Sequence, residues 1–297
     1  MKANVSDVLT TAVAPIVWGS TYIVTTQFLP NFSPITVAML RALPAGMLLL
    51  LIVRQLPSGI EWLRVFVLGA LNISIFLSML FVAAYRLPGG VAGTVAAVQP
   101  LFAVFLARLL LGSPIRPMSI VAVSIGIGGV ALLVLTPRAA LDPVGVAAGL
   151  AGAASMAVGN VLARKWQPSV SLLAYTAWQL TAGGLLLIPV VLLFAPAMPT
   201  PTLANLGGLA WLALIGAALT YVLWFRGIAR LEPGVVSPLL FISPLTAALL
   251  GWVFLNQTLT PIQIVGIVCV IGSIWLSQRP ARRVSAPIST SHVRSTR

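Results

Sequence analysis

The sequence predicts an all-α integral membrane protein of ten transmembrane helices, built as two inverted five-helix repeats. Three observations predict it. The first is composition: of 297 residues, 59% are hydrophobic and only 7% charged, with a mean hydropathy of +1.07. A water-soluble globule of this composition would expose far too much apolar surface. The second is an internal duplication. Shifted by 144 residues, Arg86–Pro117 (RLPGGVAGTVAAVQPLFAVFLARLLLGSPIRP) falls without a gap on Arg230–Pro261 (RLEPGVVSPLLFISPLTAALLGWVFLNQTLTP), with ten of 32 positions identical. Those ten include Arg86/Arg230, Gly90/Gly234, Pro100/Pro244 and Pro117/Pro261, which apolar composition alone does not align. The third is parity: five spans per copy is an odd number, so the second copy enters the membrane from the opposite face.

The spans follow from apolar runs of about 20 residues, the length needed where each backbone polar group must bond within its own segment. They read 8–28, 34–53, 65–84, 90–110, 118–135, 144–163, 170–194, 206–225, 234–254 and 262–278. The gaps hold the four acidic residues, Asp7, Glu61, Asp142 and Glu232. Lys2 ahead of Ala12-Val13-Ala14 has the look of a signal peptide, but the apolar run continues past it, so the first span is expected to remain as a helix. Residues 1–141 form the first repeat and 142–279 the second, with 280–297, rich in Ser, Arg and Pro, as a disordered cytoplasmic tail. Cys269 lies inside the tenth span, and a lone cysteine excludes an intramolecular disulfide.

The net charge of +13 is distributed by topology and does not cluster with aromatics as in a nucleic-acid surface. Counted by alternating loops, one side receives Lys2, Arg54, Arg64, Arg108, Arg116, Arg164, Lys165, Arg226, Arg230, Arg279, Arg282, Arg283, Arg294 and Arg297, and the other only Arg86 and Arg138. The positive-inside rule then places both termini in the cytoplasm of a multi-pass protein of the cell inner membrane. Arg41 remains, inside the second span. It lies about 10 Å below the outer end of its helix; its functional reading is an anchor for a substrate carboxylate, and the structural reading, which the shallow depth favours, is an arginine that snorkels to the headgroups or pairs with carbonyls.

Trp18-Gly19-Ser20-Thr21-Tyr22 in the first span, a Pro-x-x-A/T motif at Pro100 and Pro244, and the Gly128/Gly272 correspondence carry a resemblance to the drug/metabolite transporter superfamily, EamA type, over residues 8–278. Within it the chain looks most like the aromatic amino-acid exporter (YddG) group. The resemblance implies a secondary carrier that exports amino acids, aromatic and other neutral ones, by alternating access. A carrier of another small neutral metabolite or drug is the alternative within transport, and a non-transporting scaffold or lipid-handling protein the alternative outside it. Where the family often has a Glu at the ends of the fourth and ninth helices, this chain has Gly112 and Asn256, so no role of that Glu carries over.

No Asp, Glu or His lies within a span, and the one histidine, His292, is in the tail. Proton coupling through a membrane carboxylate therefore has no residue to use, and gradient-driven movement of a neutral or zwitterionic solute is expected. There is no G-x-x-x-x-G-K-[ST] loop for ATP and no metal-ligand cluster, and no intramembrane serine has a base beside it. No enzyme activity, cofactor or metal is expected; the partners are the bilayer and a small-molecule substrate. A monomer suffices, although Gly126, Gly128, Gly129, Gly266 and Gly272 allow either an internal helix pair or a homodimer contact.

The substrate is expected to meet uncharged polar and aromatic side chains: Trp18, Thr21 and Tyr22 on one face of the first helix; Asn72 and Ser78 in the third; Gln99 and its repeat mate Ser243 beside the kink prolines Pro100 and Pro244; Ser155 and Asn160 in the sixth; and Tyr221 and Trp224 in the eighth. Such hydroxyl, amide and carbonyl dipoles bind a zwitterion while aromatics pack on its side chain. The competing reading for each is structural: Ser and Thr bonded to their own helix, amides as interhelical glue, and aromatics in the interfacial belt.

Overall fold

This computed structural model of the chain describes residues 4–86, 95–115, 117–134, 142–254 and 260–277, all of it helix and connecting turns. The helical rods are α1 (Val5–Phe28), α2 (Pro34–Val53), α3 (Glu61–Ala83), α4 (Gln99–Leu111), α5 (Pro117–Leu132), α6 (Pro143–Lys165), α7 (Leu172–Phe194), α8 (Leu203–Arg230), α9 (Pro233–Phe254) and α10 (Pro261–Ser277). Seven are long and apolar enough to cross a membrane, and α4, α5 and α10 are shorter apolar helices. The tail, Asn256 and the first part of the span read at 90–110 lie outside the described residues.

Local chemistry explains where the rods begin. Proline opens α2, α5, α6, α9 and α10, where its missing N–H has no intrahelical partner to lose. Asn4, Asp142 and Ser171 cap α1, α6 and α7 by accepting from the backbone N–H groups of Ser6, Gly145 and Ala174 at 3.1, 2.8 and 3.1 Å. Thr202 and Asn205 form a reciprocal capping box at α8. Gly112 ends α4 at φ +66°, a conformation that favours glycine.

Two boundaries differ from the sequence reading for a physical reason. Asp7 and Glu61 fall within the first turns of α1 and α3 and not in gaps between helices, because a carboxylate is favoured at a helix N-terminus. The eighth span, read as 206–225, continues to Arg230, because Arg226 and Arg230 reach Asp7 from inside the helix.

Four rods are irregular inside. Alpha-helical hydrogen bonding in α1 breaks at Ser20, whose N–H bonds Val17 O at 3.0 Å. π-Helical stretches run through Ala70–Ile75 of α3 and Trp211–Leu219 of α8, and α9 contains a 3₁₀ stretch, Ser237–Phe241. The segment ahead of α4 carries a turn at Ala97–Val98. Pro100 and Pro244 thus fall in the first turns of the helical segments that restart after these irregularities, Gln99–Leu111 and Ile242–Phe254.

The most extensive pairings are α2 with α7 and α5 with α10, followed by α3 with α6, α1 with α8, α3 with α7, α1 with α9, α4 with α6 and α2 with α8. Exchanging α1 with α6, α2 with α7, α3 with α8, α4 with α9 and α5 with α10 leaves these pairings unchanged. Small residues permit the closest approaches. A Cβ on Gly184 would lie 2.6 Å from Leu43 Cβ, and one on Gly129 would lie 2.9 Å from Gly266 O. The glycine pattern of α5 and α10 therefore serves an internal pair at Gly129 and Gly266, whereas a Cβ on Gly128 or Gly272 would meet nothing. Outward faces carry exposed Leu51, Leu109, Leu192, Phe194 and Val268. Only lipid suits that surface, and the chain is a multi-pass membrane protein.

Candidate functional site

A small cavity of about 30 Å³ opens between α4, α6, α8 and α9. Its walls are Ala103 from α4, Asn160, Val161 and Arg164 from α6, Trp224, Ile228 and Leu231 from α8 and the turn after it, and Pro233, Val236 and Ser237 from α9. The Arg164 guanidinium closes one end by donating to the carbonyls of Ile228, at 3.0 Å, and of Leu231. Among the described residues, and apart from Nη1 of Arg226, whose Nη2 pairs with Asp7, three buried polar atoms on these helices have no hydrogen-bond partner: Trp224 Nε1, Asn160 Oδ1 and Gln99 Nε2. Trp224 and Asn160 line the cavity, and Gln99 is one helical turn from the lining residue Ala103 on the same face of α4. Two are donors and one an acceptor. Leaving each unpaired costs about 1–3 kcal/mol, which a ligand or water supplying the complements would recover.

An aromatic wall stands behind the cavity. The half-buried Trp18 ring tilts against Tyr221 and Trp224 at centroid distances of 5.4 and 5.3 Å. Trp18 Nε1 donates to Thr220 Oγ1 at 2.8 Å and to Gly216 O at 3.1 Å. That carbonyl lies inside the π-helical stretch of α8 and also accepts from Thr220 Oγ1 at 2.8 Å. The break in α1 faces the same stretch: Trp211 Nε1 donates to Ser20 Oγ at 2.9 Å.

The remaining residues predicted from sequence divide between this region and the helix contacts. Ser155 Oγ donates to Leu71 O at 2.8 Å, fastening α6 to the π-helical stretch of α3. Asn72, fully buried, donates through Nδ2 to Gln179 Oε1 of α7 at 2.9 Å, and Gly159 of α6 lies against its amide. These contacts are interhelical. Gln179 meets the criterion that selected Asn72, an amide within a span, and was not singled out from sequence. Ser243 is half-buried, and its carbonyl would lie 2.6 Å from a Cβ on Gly19, so the restart of α9 packs on the α1 break. Tyr22 and Ser78 are half-buried and line no part of the cavity.

Arg41 follows one branch of the structural reading, pairing with a carbonyl, and departs from the other. It does not snorkel: it is 3% exposed, donating from Nη2 to Gly216 O at 2.7 Å and from Nη1 to the buried Thr21 Oγ1 at 3.3 Å. The face of α2 on which it lies, and not its depth, determined its burial. The π-helical stretch of α8 packs on that face, and Thr21 of α1 reaches it.

Ion pairs mark the ends of the matched helix pairs. At one end of α1 and α8, Asp7 Oδ1 is 2.6 Å from Arg226 Nη2 and 3.3 Å from Arg230 Nη1. At the N-terminus of α6, Asp142 Oδ2 is 3.4 Å from Arg86 Nη1 at the C-terminal end of the Phe76–Arg86 helical segment. The Gly145 N–H, then the Arg86 charge, hold the Asp142 carboxyl below its ordinary value. Its contribution is therefore fully present above the usual carboxylate range and is lost as pH falls through the lowered value.

Comparisons with known proteins agree with this architecture. A model of the EamA-like transporter family matches residues 6–135 and 143–278. Protein PecM of Dickeya dadantii is 46% identical over 267 residues, covering 89% of this chain and 90% of that protein. The uncharacterized inner membrane transporter YedA of Escherichia coli K12 is 28% identical, covering 92% of each. A protein of known crystal structure, 20% identical, superposes with a TM-score of 0.76 over 93% of this chain and 98% of its own, a likeness of fold alone. With one family model matched on both sides of the 136–142 connection and close relatives aligned nearly end to end, the chain belongs to the EamA-like transporter family.

Proposed function

We propose that the protein is a secondary carrier that exports amino acids by alternating access, without proton coupling through a membrane carboxylate. The observation that carries this reading is the set of unsatisfied polar atoms around the cavity. Trp224 Nε1 and Gln99 Nε2 are donors suited to a carboxylate, and Asn160 Oδ1 is an acceptor suited to an ammonium group. Trp224, Tyr221 and Trp18 supply an apolar aromatic surface for the rest of the solute. The cavity, about 30 Å³, has room for little more than a water or two in this state, so on this reading the solute enters as the surrounding helices move apart.

Alternating access rests on an inverted repeat, and four features support that reading. The helix pairings are unchanged when the two sets of five helices are exchanged. The π-helical stretch of α3, moved by 144 residues, falls within that of α8. The irregular turns precede Pro100 and Pro244 alike. The repeat-matched Arg86 and Arg230 each pair with an aspartate near the start of a partner helix. With both termini in the cytoplasm, as the charge bias implies, Asp7 lies at the inner end and Asp142 at the outer, and the cavity beside Arg164 is nearer the inside.

Counterflow in proteoliposomes tests the reading. Preloading with unlabelled Phe, Thr or Met is expected to accelerate uptake of the labelled amino acid, and unchanged uptake across all three would refute amino-acid export. Trp224→Phe keeps an aromatic ring, though a smaller one, and deletes the donor. It is expected to weaken half-saturation about tenfold, the cost of one hydrogen bond to a charged group, with the unfolding midpoint little changed, because removal of a buried unpaired N–H offsets the loss of ring volume.

A further inference from the structure

Arg41 sets an electrostatic problem that the chain does not solve itself. A buried guanidinium without a carboxylate partner is costly, and the cost falls when an anion approaches. The chain has four acidic side chains, Asp7, Glu61, Asp142 and Glu232. Asp7 is held by Arg226 and Arg230, Glu61 by Arg64 at 2.9 Å, and Asp142 by Arg86. Glu232 lies where its charge acts on Arg164. None contacts Arg41, whose observed partners are the Gly216 carbonyl and the Thr21 hydroxyl, both uncharged. Its Nε, also buried, has no partner among the described residues.

The position of this cation connects it to the cavity. Arg41 Nη2 and Trp18 Nε1 donate to the same carbonyl, Gly216 O. Trp18 in turn tilts against Trp224, which lines the cavity. The order from the cavity is therefore Trp224, Trp18, Gly216 O, Arg41. The aromatic wall thus links the cavity to the guanidinium, and it includes the half-buried Trp18 just before the α1 break.

We infer that Arg41, with Thr21 beside it, is an anion-binding station on the far side of the Trp18 wall, which receives the carboxylate of the solute as the carrier turns over. The inference rests on the carrier reading for its place in the transport cycle and adds a substrate class: solutes bearing a carboxylate or similar small oxyanion, with bare amines excluded. A carboxylate replaces the Gly216 carbonyl as the acceptor for Nη2 and accepts from the free Nε, the two-pronged geometry for which arginine is suited.

Binding to the purified full-length protein in detergent separates this inference from the transport reading. Sodium phenylacetate is expected to raise the unfolding midpoint saturably, while phenethylamine, of the same ring and chain, leaves it unchanged; equal shifts from both overturn the inference without recourse to any variant. Arg41→Gln is expected to weaken phenylacetate binding by about tenfold or more, the loss of a charge-assisted hydrogen bond, and Arg41→Lys by less. Wild-type affinity in Arg41→Gln overturns the inference. Competition by chloride at constant sodium identifies the source of the anion: displacement of phenylacetate supports a station open to free inorganic anions as well, and no displacement supports one reserved for carboxylates. If counterflow of amino acids fails while phenylacetate binding still depends on Arg41, the export reading falls and the anion station stands. If counterflow proceeds unchanged in Arg41→Gln, the station falls and the carrier stands.

Discussion

Gly46→Leu is expected to leave almost no folded protein, and Gly46→Ala to lower stability by about 3 kcal/mol, the upper part of the range for overpacking a tight interior. A Cβ at Gly46 meets the backbone N of Thr181 and lies 2.7 Å from the Leu180 carbonyl carbon. Both neighbours are main chain of α7, so no rotamer change makes room. Gly69 and Gly183 repeat the situation where α3 meets α7, since a Cβ on Gly69 would lie 2.7 Å from Gly183 N. Gly128→Ala and Gly272→Ala are the controls: both positions face open space, and alanine is the better helix former by about 1 kcal/mol. Unfolding midpoints in detergent, with monodispersity by size exclusion, check all four. A Gly46→Ala midpoint equal to that of Gly128→Ala would show that α2 and α7 are not packed as described.

Asp7→Asn is expected to have the second largest effect, and a different kind of effect. One half-buried and one exposed arginine converge on the buried Asp7, joining the start of α1 to the end of α8. Removing the anion leaves two cations facing each other, and we expect a loss of about 2 kcal/mol, below the 3–5 typical of a fully buried pair because Arg230 is solvated. Asp142→Asn is expected to change stability little. Asn keeps the cap that Gly145 uses, and the pair with Arg86 is solvent-exposed. The two aspartates therefore differ in strength although they occupy matched places. Removing the stronger one biases the protein toward opening at its own end. Alkylation of Ser237→Cys in the cavity, in a Cys269→Ala background, is expected to be about tenfold faster with Asp7→Asn if 1.4 kcal/mol of the loss bears on opening. An unchanged rate means that the pair stabilises the fold without closing the cavity.

Most of the fold was legible because hydropathy and proline positions are properties of the chain itself. The second span read from sequence coincides with α2, and the starts of α5, α6, α9 and α10 fall at prolines within a residue of those read. What was not legible depends on which helix faces which. Arg41 reads as shallow along its own helix, but α8 packs on its face and Thr21 of α1 reaches it, a fact of packing between distant segments. Asn72 and Ser155 have the residue types of a binding site, and only tertiary contacts show that they join α3 to α7 and α6. Conversely, Gln99, Asn160 and Trp224 gain their interest from what they do not contact, which no spacing rule can express.

The π-helical stretch Trp211–Leu219 also determines the angular phase of α8. A π-helical turn holds more residues than an α-helical one and commonly records a single added residue. Loss of one residue there would let the stretch relax to ordinary α-helix with the part beyond it in nearly the same phase, whereas loss of one residue from the regular helix between the stretch and Trp224 would turn everything beyond it by about 100° relative to the part before. Trp224 and Ile228 would rotate off the cavity with no change in hydropathy or in the length available to cross the bilayer. A one-residue deletion in this rod is thus invisible to composition yet reorients an entire wall of the site, and the matching stretch at Ala70–Ile75 in α3 subjects the other half of the molecule to the same constraint.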